Sequence, residues 1–570
     1  MMLQKIHCTT ISILICKETI LLLSMQQKKR AFENYINTSS NKLKASWNIV
    51  NQERNMVQSV SLPTLSATEF NEYFTNIANT LRESIPASNL SIERLFAREP
   101  SSSSFFIKPV SEDTVLQAVK SLKDSPCTDV FEMNSRILKE TIELILPFLT
   151  SLINVCFNRG IFPQCFKLTK ILPMFKQGDP NLTNNYRPIS IIPIFGKVIE
   201  VIMKARLYTF LENNSVLCAS QFGFRPNRST TNAVQGVVKD VIRGLEKGEH
   251  TAIALCDLTK AFDCVPHELL LAKLEHYGVR GLPLVFFKSY LMDRSQCVTI
   301  NNNVSEFKVN NHGVPQGSIL GPILFLIFIN DIHYSLLPNK CILFADDTTL
   351  LVSHRDCSQL NVLMNQLIER AEQWFSFNKL TVYIEKTQRL TISSNRANVK
   401  GDQVKLLGVV IDDGLNWAGH VGYLLKALPS TIFLLRQLKS VVRLETLISS
   451  YFAFFHSRLC YAVILWGNSS QSNKIFSLQK KAIRVLAGLS GREHCQPHFI
   501  NFGILPLPCL YIYYTLTEIH KNINSFCLQS DIHIYNTRNS NAIRTDRFRL
   551  TRSQSNSLKV GLYNKLLLNR

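Results

Sequence analysis

Acidic residues are outnumbered in this chain: 42 Asp and Glu stand against 63 Lys and Arg over 570 residues, a formal net charge of +21. That imbalance calls for an anionic partner, nucleic acid first and an acidic membrane surface second, although a basic structural role of ribosomal type carries similar numbers. Cysteine pairs are missing as well. None of the 15 cysteines falls in a CxxC spacing, and Cys256, Cys341 and Cys460 lie inside apolar runs. A disulfide framework is therefore not expected, and a reducing, intracellular setting in nucleus or cytoplasm is. The cluster His494-Cys495-Gln496-Pro497-His498 has zinc-ligand chemistry but no second pair at finger spacing. Long apolar runs are also lacking. Thr10–Cys16 is cut short by Lys17-Glu18, and Ile319–Ile329 contains Pro322, so neither a signal peptide nor a membrane segment is expected. No internal repeat is visible.

What the chain does have is a hydrophobic content of 46%, enough for sizeable cores in more than one domain. Residues 1–25 carry no assignment. Residues 26–104 read as short amphipathic helices, with Phe70, Tyr73, Phe74 and Ile77 at helical spacing, closed by the linker Ser101–Ser104. From Phe105 the patterning is continuous: helices over Val110–Leu122 and Ser135–Asn158, then a strand over Lys167–Phe175 leading into the turn Lys176-Gln177-Gly178-Asp179-Pro180. Leu360, Leu363, Leu367, Ala371 and Trp374 form the core stripe of a later helix. Leu406–Ile411 reads as a strand, helices follow from Trp417 and His420 to about Ile500, and His420 reads as a packed histidine. The tail from Arg538 to Arg570 holds eight Lys or Arg against one acid, Asp546.

Chemistry concentrates at a few points. Cys341–Val352 consists of two apolar runs meeting at Asp346-Asp347, a hairpin with acids at its tip, where Asp tolerates unusual turn angles. Two unit charges 4 Å apart repel by roughly 4 kcal/mol at an effective dielectric of 20, so a divalent cation is a natural partner, though an isolated Asp-Asp is commonly just a solvated turn. Thr251–Asp257 is a buried-strand run ending in a third carboxylate, followed by Leu258 to Asp263. Asp257 sits at a site position or a helix cap; Asp263 reads as structural, where the chain turns toward a helix carrying Leu269, Leu270, Leu274 and Tyr277. Lys176 and Arg187 flank one expected hairpin and could converge on a triphosphate. Gln221 to Thr230 interleaves Arg225 and Arg228 with aromatics, a composition suited to nucleic-acid backbone contacts or to a helix cap. Gly313-Val314-Pro315-Gln316-Gly317-Ser318 lets backbone approach a ligand or simply turns into a helix starting near Ile319, with Ser318 as its cap. Lys386 could protonate a leaving pyrophosphate, or be a surface charge.

In this order the segments resemble the reverse transcriptases of non-LTR retrotransposons, most closely jockey-like mobile elements. The resemblance runs through Lys176-Gln177-Gly178-Asp179, Asn185-Tyr186-Arg187-Pro188-Ile189-Ser190, Gln221–Thr230, Asp257-Leu258-Thr259-Lys260-Ala261-Phe262-Asp263, Gly313–Gly317, Phe344-Ala345-Asp346-Asp347, Lys386-Thr387 and Leu407-Gly408-Val409. Tyr451–Gly467 and Ile475–Lys521 resemble the thumb and carboxyl-terminal region of the same elements. It implies an α+β, right-hand polymerase fold of fingers, palm and thumb with an antiparallel palm sheet and a helical carboxyl-terminal region. The implied division is fingers and palm over 105–411, with a core over about 155–411, a thumb-like region over 412–500 and a basic region over 501–570.

The resemblance further implies RNA-directed DNA synthesis, with an RNA template, a DNA primer and deoxynucleoside triphosphates as partners and no membrane. Two Mg²⁺ ions, or Mn²⁺, would sit on Asp257, Asp346 and Asp347. Lys176, Arg187, Leu258 and Gln316 would adjoin the incoming nucleotide, Arg225, Arg228 and Gly317 the nucleic acid, and Lys386 the pyrophosphate. Phe262, five residues after Asp257, would act as the sugar gate, its ring excluding a ribose 2′-hydroxyl. Two departures stand out: the family's amino-terminal endonuclease has no room here, which suggests a fragment or truncated copy, and Tyr383 stands where the family usually has Asn before Lys-Thr. A catalytically idle nucleic-acid-binding relic is the alternative.

Overall fold

The computed structural model describes residues 26–39, 42–53, 65–83, 85, 99–383, 386–395, 400–531 and 542–568; the unassigned residues 1–25 lie outside them. The chain divides into two compact units, one of residues 61–237 and 250–391 and the other of residues 1–60, 238–249 and 392–570. This differs from the linear division expected at residues 104 and 411. Helix Ala67–Glu83 belongs to the first unit because its Phe70, Asn71 and Phe74 are buried there. Asn71, fully buried, donates to the Glu306 carbonyl at 2.8 Å and to Ser305 Oγ at 3.0 Å, and accepts from Gln296 Nε2 at 3.1 Å. A buried amide so completely paired specifies its docking, since burial without partners would be costly.

The first unit holds two sheets. In one the strand order is β7-β8-β3-β9, with β3 (His250–Cys256), β7 (Lys340–Phe344), β8 (Asp347–His354) and β9 (Gln388–Ile392). β3 and β8 are antiparallel with Cys256 opposite Thr348, and β7 and β8 are antiparallel with Phe344 opposite Asp347. Five consecutive residues of β8, Thr348–Val352, are buried, which explains why these strands read as continuous apolar runs rather than alternating ones. The other sheet has the order β2-β1-β4-β5, with β6 also on β4. It comprises β1 (Leu168–Phe175), β2 (Tyr186–Ile191), β4 (Arg294–Ile300), β5 (Asn303–Val304) and β6 (Lys308–Asn310). β1 and β2 form the expected hairpin, while β1 and β4 run parallel.

The helix expected near Ser135 spans Ser135–Arg159, opened by Asn134, whose Oδ1 accepts from the amides of Arg136 and Ile137, and closed by Gly160 at φ 65°. The apolar helix after Gly317 starts later than expected, at Gly321, and is buried through Ile329. Beneath it Lys273 pairs with Asp331 at 2.7 Å and donates to the Phe328 carbonyl at 2.6 Å, with the Lys273 and Asp331 side chains only 1% and 2% exposed.

Ser135–Arg159 and Ala418–Val441 are long and apolar enough to cross a membrane by length and composition. Run length alone did not mark them, because charged and polar residues interrupt both; each also contains a proline and buries residues in its own unit.

In the second unit the expected strand over Leu406–Ile411 is instead a hairpin, β10 (Gln403–Leu406) against β11 (Val409–Asp412). Its turn is Leu407-Gly408, with φ of 47° and 82°, the doubly positive pattern that suits a tight hairpin. Helices Ala418–Val441, Leu444–Tyr451, Ser472–Ala487 and Leu507–Lys521 complete this unit. His420 is packed, 1% exposed, against Trp466. The basic tail joins the unit through Asn556, whose Oδ1 accepts from Trp417 Nε1 at 2.6 Å.

Candidate active site

The acidic hairpin is built as its sequence suggests, with one difference. Ala345-Asp346 forms the turn between β7 and β8, and the positive φ, 55°, falls on Ala345 rather than on an aspartate. A non-glycine residue there persists only when its surroundings hold it. The segment Ser220–Gly223 supplies that hold. The Phe222 amide donates to the Leu343 carbonyl at 2.8 Å and the Leu343 amide to the Ser220 carbonyl at 2.9 Å. Gln221, 1% exposed, accepts from the Gly223 amide at 2.8 Å and the Ala345 amide at 3.1 Å through the same Oε1. Gly223 is required for this approach, because a Cβ there would lie 2.3 Å from the Ala345 nitrogen.

This strap changes the reading of the basic loop. Arg225 is turned inward, its side chain 7% exposed, and is paired with Glu212 at 2.8 Å while donating to the Cys218 carbonyl. Arg228 donates to the carbonyls of Ala219 and Gln221 and lies over the Phe222 ring. The backbone contacts expected of these two arginines are therefore replaced by bonds that brace the strap. Gln221 was missed because a glutamine among basic and aromatic residues carries no signal of burial; the glycine two residues later was the available hint.

Asp257 follows β3 directly and its carbonyl accepts from the Tyr383 amide at 2.9 Å. It comes close enough to Asp346 and Asp347 for the charges to interact. Asp346 titrates above the ordinary carboxylate range, first through desolvation and then through Asp257, against the opposing pull of Arg187 and Lys176. Asp347 is an exposed residue whose carboxyl is nonetheless pushed up to about 6, by desolvation first and then by Asp346 and Asp257. Lys176 and Arg187 are exposed at the turn end of the β1–β2 hairpin, where Met174 pairs with Arg187. The site thus joins three mutually repelling carboxylates to two cations.

Phe262 and Gln316 are brought together by a second close approach. The Val314 amide donates to the Phe262 carbonyl at 2.8 Å, and Gly313, at φ 75°, leaves no room for a Cβ, which would meet the Asp263 backbone at 2.7 Å. The Phe262 ring is stacked on Phe325, with 4.2 Å between centroids, and Phe224 meets it edge-on. The Gln316 carbonyl accepts from the Ser190 amide at 2.6 Å, and its Nε2 donates to both oxygens of Asp263 at 2.9 and 2.8 Å. Gly317 is exposed at φ 118°. Asp263 therefore does more than terminate a turn. Leu258 is buried and bridges to Val382. Lys386 is exposed, with its Nζ 4.1 Å from the centre of the Tyr383 ring. Ser318 caps Gly321 as expected, its Oγ accepting from that amide at 2.8 Å.

Among the described residues no three His, Cys, Asp or Glu side chains stand together as a ready metal cluster. The donor set nonetheless fits Mg²⁺, a hard ion commonly held by one or two carboxylates together with water and substrate phosphates. Burial first and mutual repulsion second raise the titration of Asp346 and Asp347, and a bound cation would offset both.

Residues 175–411 match the family described as reverse transcriptase (RNA-dependent DNA polymerase), a family that generally uses divalent metal ions. The chain is 27% identical over 472 residues to a Drosophila melanogaster protein named "Probable RNA-directed DNA polymerase from transposon BS", covering 77% of this chain and 49% of that one. It is 27% identical over 391 residues to the RNA-directed DNA polymerase from mobile element jockey of the same organism, covering 64% and 42% respectively. The jockey protein of Drosophila funebris is 26% identical over 413 residues, covering 67% and 44%. The chain spans about half the length, or less, of these curated relatives.

Proposed function

We propose, from the match of residues 175–411 to the reverse transcriptase family and the likeness to mobile-element polymerases, that the chain carries the reverse transcriptase domain of a non-LTR retrotransposon and is an RNA-directed DNA polymerase, adding deoxynucleotides to a primer 3′-hydroxyl on an RNA template. In this reading the first unit holds the palm and fingers, with β3, β7 and β8 as the palm sheet, and the helices after β11 form a thumb.

Asp257 and Asp346 would hold two Mg²⁺ ions, or Mn²⁺, with Asp347 beside them. Bound there, divalent ions would lower the pKa of the primer hydroxyl and offset charge on the leaving pyrophosphate. The protein's own part is positioning and charge balance. Lys176 and Arg187 grip the triphosphate, Arg187 through paired hydrogen bonds. The Leu258 backbone and Gln316 adjoin the nucleotide, and Gly317 lets nucleic acid approach. The Phe262 ring, backed by Phe325, occupies the space a 2′-hydroxyl would need. Lys386, on leaving Tyr383, protonates the departing pyrophosphate.

The observation that carries this reading is the strand register that sets Asp257, directly after Cys256 opposite Thr348, beside the Asp346-Asp347 turn. Its test is primer extension on poly(rA)/oligo(dT) with Mg²⁺ and dTTP, comparing the chain with Asp346→Ala. Extension should occur and should vanish in the variant. Binding without extension by the unmutated chain would reduce it to an idle relic.

A further inference from the structure

We propose that the outer face of helix Ser135–Arg159 is an interface between two copies of this chain, paired about a two-fold axis at Phe148. The inference goes beyond the polymerase reading and does not depend on it. An amphipathic helix buries one apolar stripe and presents polar residues elsewhere. This helix buries Leu138, Ile142, Leu149 and Ile153, yet a second stripe stays in solvent: Ile137, Leu144, Phe148, Leu152 and Val155 are between 38% and 78% exposed. At 3.6 residues per turn these five lie within about a quarter of the helix circumference, so they form one strip rather than scattered side chains. The apolar surface continues past the helix end. Ile161 is half exposed, and Leu282 and Val285, exposed to a similar degree, adjoin Gly160 so closely that a Cβ there would lie 2.9 and 3.2 Å from them.

Taking roughly 150–200 Å² for a fully exposed large apolar side chain, these residues together present on the order of 600–800 Å². The largest apolar patch on a typical monomer is about 300–600 Å², and each partner in a standard-size interface gives about 800 Å². The area is therefore that of one side of a protein–protein contact. The stripe is also self-complementary. Leu144 and Leu152 stand four residues either side of Phe148, so an antiparallel pair with its two-fold axis there sets Leu144 against the partner's Leu152, the reverse on the other side, and Phe148 against itself. A lipid surface fits less well, since helices that lie on membranes are rich in Lys and Arg, whereas here Arg136 and Arg159 are matched by Glu140 and Glu143, all four exposed. No residue of the stripe lines the cleft of Pro188, Ser190, Asp263 and Gln316, so the contact takes nothing from it.

The test measures the mass of the full chain by sedimentation from about 0.1 to 50 μM, a range that covers the micromolar end of affinities for contacts of this area. High salt and the absence of nucleic acid keep a shared strand from bridging copies. A monomer–dimer equilibrium is expected. Phe148→Glu should weaken it by at least about thirtyfold, the mark of a central contact residue, because two like charges would meet on the axis, and Phe148→Lys should do the same. Phe148 is 77% exposed, so both variants should keep the parent's melting temperature. Mixing the two should restore pairing, since each charge then meets its opposite across the axis; neither loss of fold nor a head-to-tail contact would give that rescue. A chain that stays monomeric over the whole range, whether or not it binds vesicles of phosphatidylcholine and phosphatidylserine, overturns the proposal. So does a dimer that Phe148→Glu leaves intact, or a mixture of the two variants that pairs no better than either alone.

Discussion

Replacing Gln221 by leucine should disable the acidic hairpin from behind, without touching a carboxylate. Its Oε1 is the acceptor for two backbone amides, those of Gly223 at 2.8 Å and Ala345 at 3.1 Å, in a side chain 1% exposed. Each buried amide left without an acceptor costs about 1–3 kcal/mol, so the pair costs about 2–6 kcal/mol. Gln221 Nε2 is itself buried without a partner, and deleting it returns about 1–3 kcal/mol. The net loss is about 2 kcal/mol, concentrated at a turn whose Ala345 already sits at φ 55°. Ala345 should relax and carry Asp346 with it, and misplacement of a reacting group by about 1 Å is worth on the order of 10²-fold in rate. Because the chain has two units, whole-chain denaturation would not isolate this effect. Hydrogen exchange at the Ala345 amide and single-turnover primer extension would. The expected result is lost protection at Ala345 with extension slowed by about 10²-fold, while helix Gly321–Ile329 keeps its protection. An undiminished rate with Ala345 still protected would refute the reasoning.

Lys273→Met should destabilise the first unit by about 3–5 kcal/mol, the usual cost of stranding a buried charge, since Asp331 is 2% exposed and its Oδ2 already lacks a partner. Thermal melts should show that loss, and adding Asp331→Leu should recover most of it; a Lys273→Met melt unchanged from the parent would contradict it. His267, held down to about 4 chiefly by burial, bonds through Nε2 to the Gly313 carbonyl at 2.8 Å. Its unfolded value is near 6.5, so the unfolded chain takes up the proton first. The stability tied to its neutral form is present above pH 6.5 and lost as pH falls from 6.5 to 4, by about 3 kcal/mol at most. Melting against pH should lose that slope in His267→Gln. Phe262→Ala should raise UTP relative to dTTP incorporation by at least about tenfold, and unchanged selection would remove Phe262 from the sugar-gate role.

Local pattern was enough to find the strands ending at Asp257 and flanking Asp346-Asp347, the β1–β2 hairpin and helix Ser135–Arg159, because short-range propensity, caps and turn residues set them. The order of motifs along the chain was enough to point to the polymerase family. Other features depend on residues far apart in sequence. Gln221 bonds across 124 positions to Ala345, Gln316 across 53 to Asp263, and Asn71 across 235 to Glu306. Nothing in Gln221–Arg228 announces that its glutamine would be buried and its arginines turned inward, since an arginine that brackets nucleic acid and one that braces a loop look alike until Glu212 and the carbonyls around it are in place. The amino-acid sequence determined which groups are candidates for the proposed chemistry; the tertiary structure decided how they are placed and which residues brace them, because burial and close backbone approach are properties of packing rather than of any local pattern.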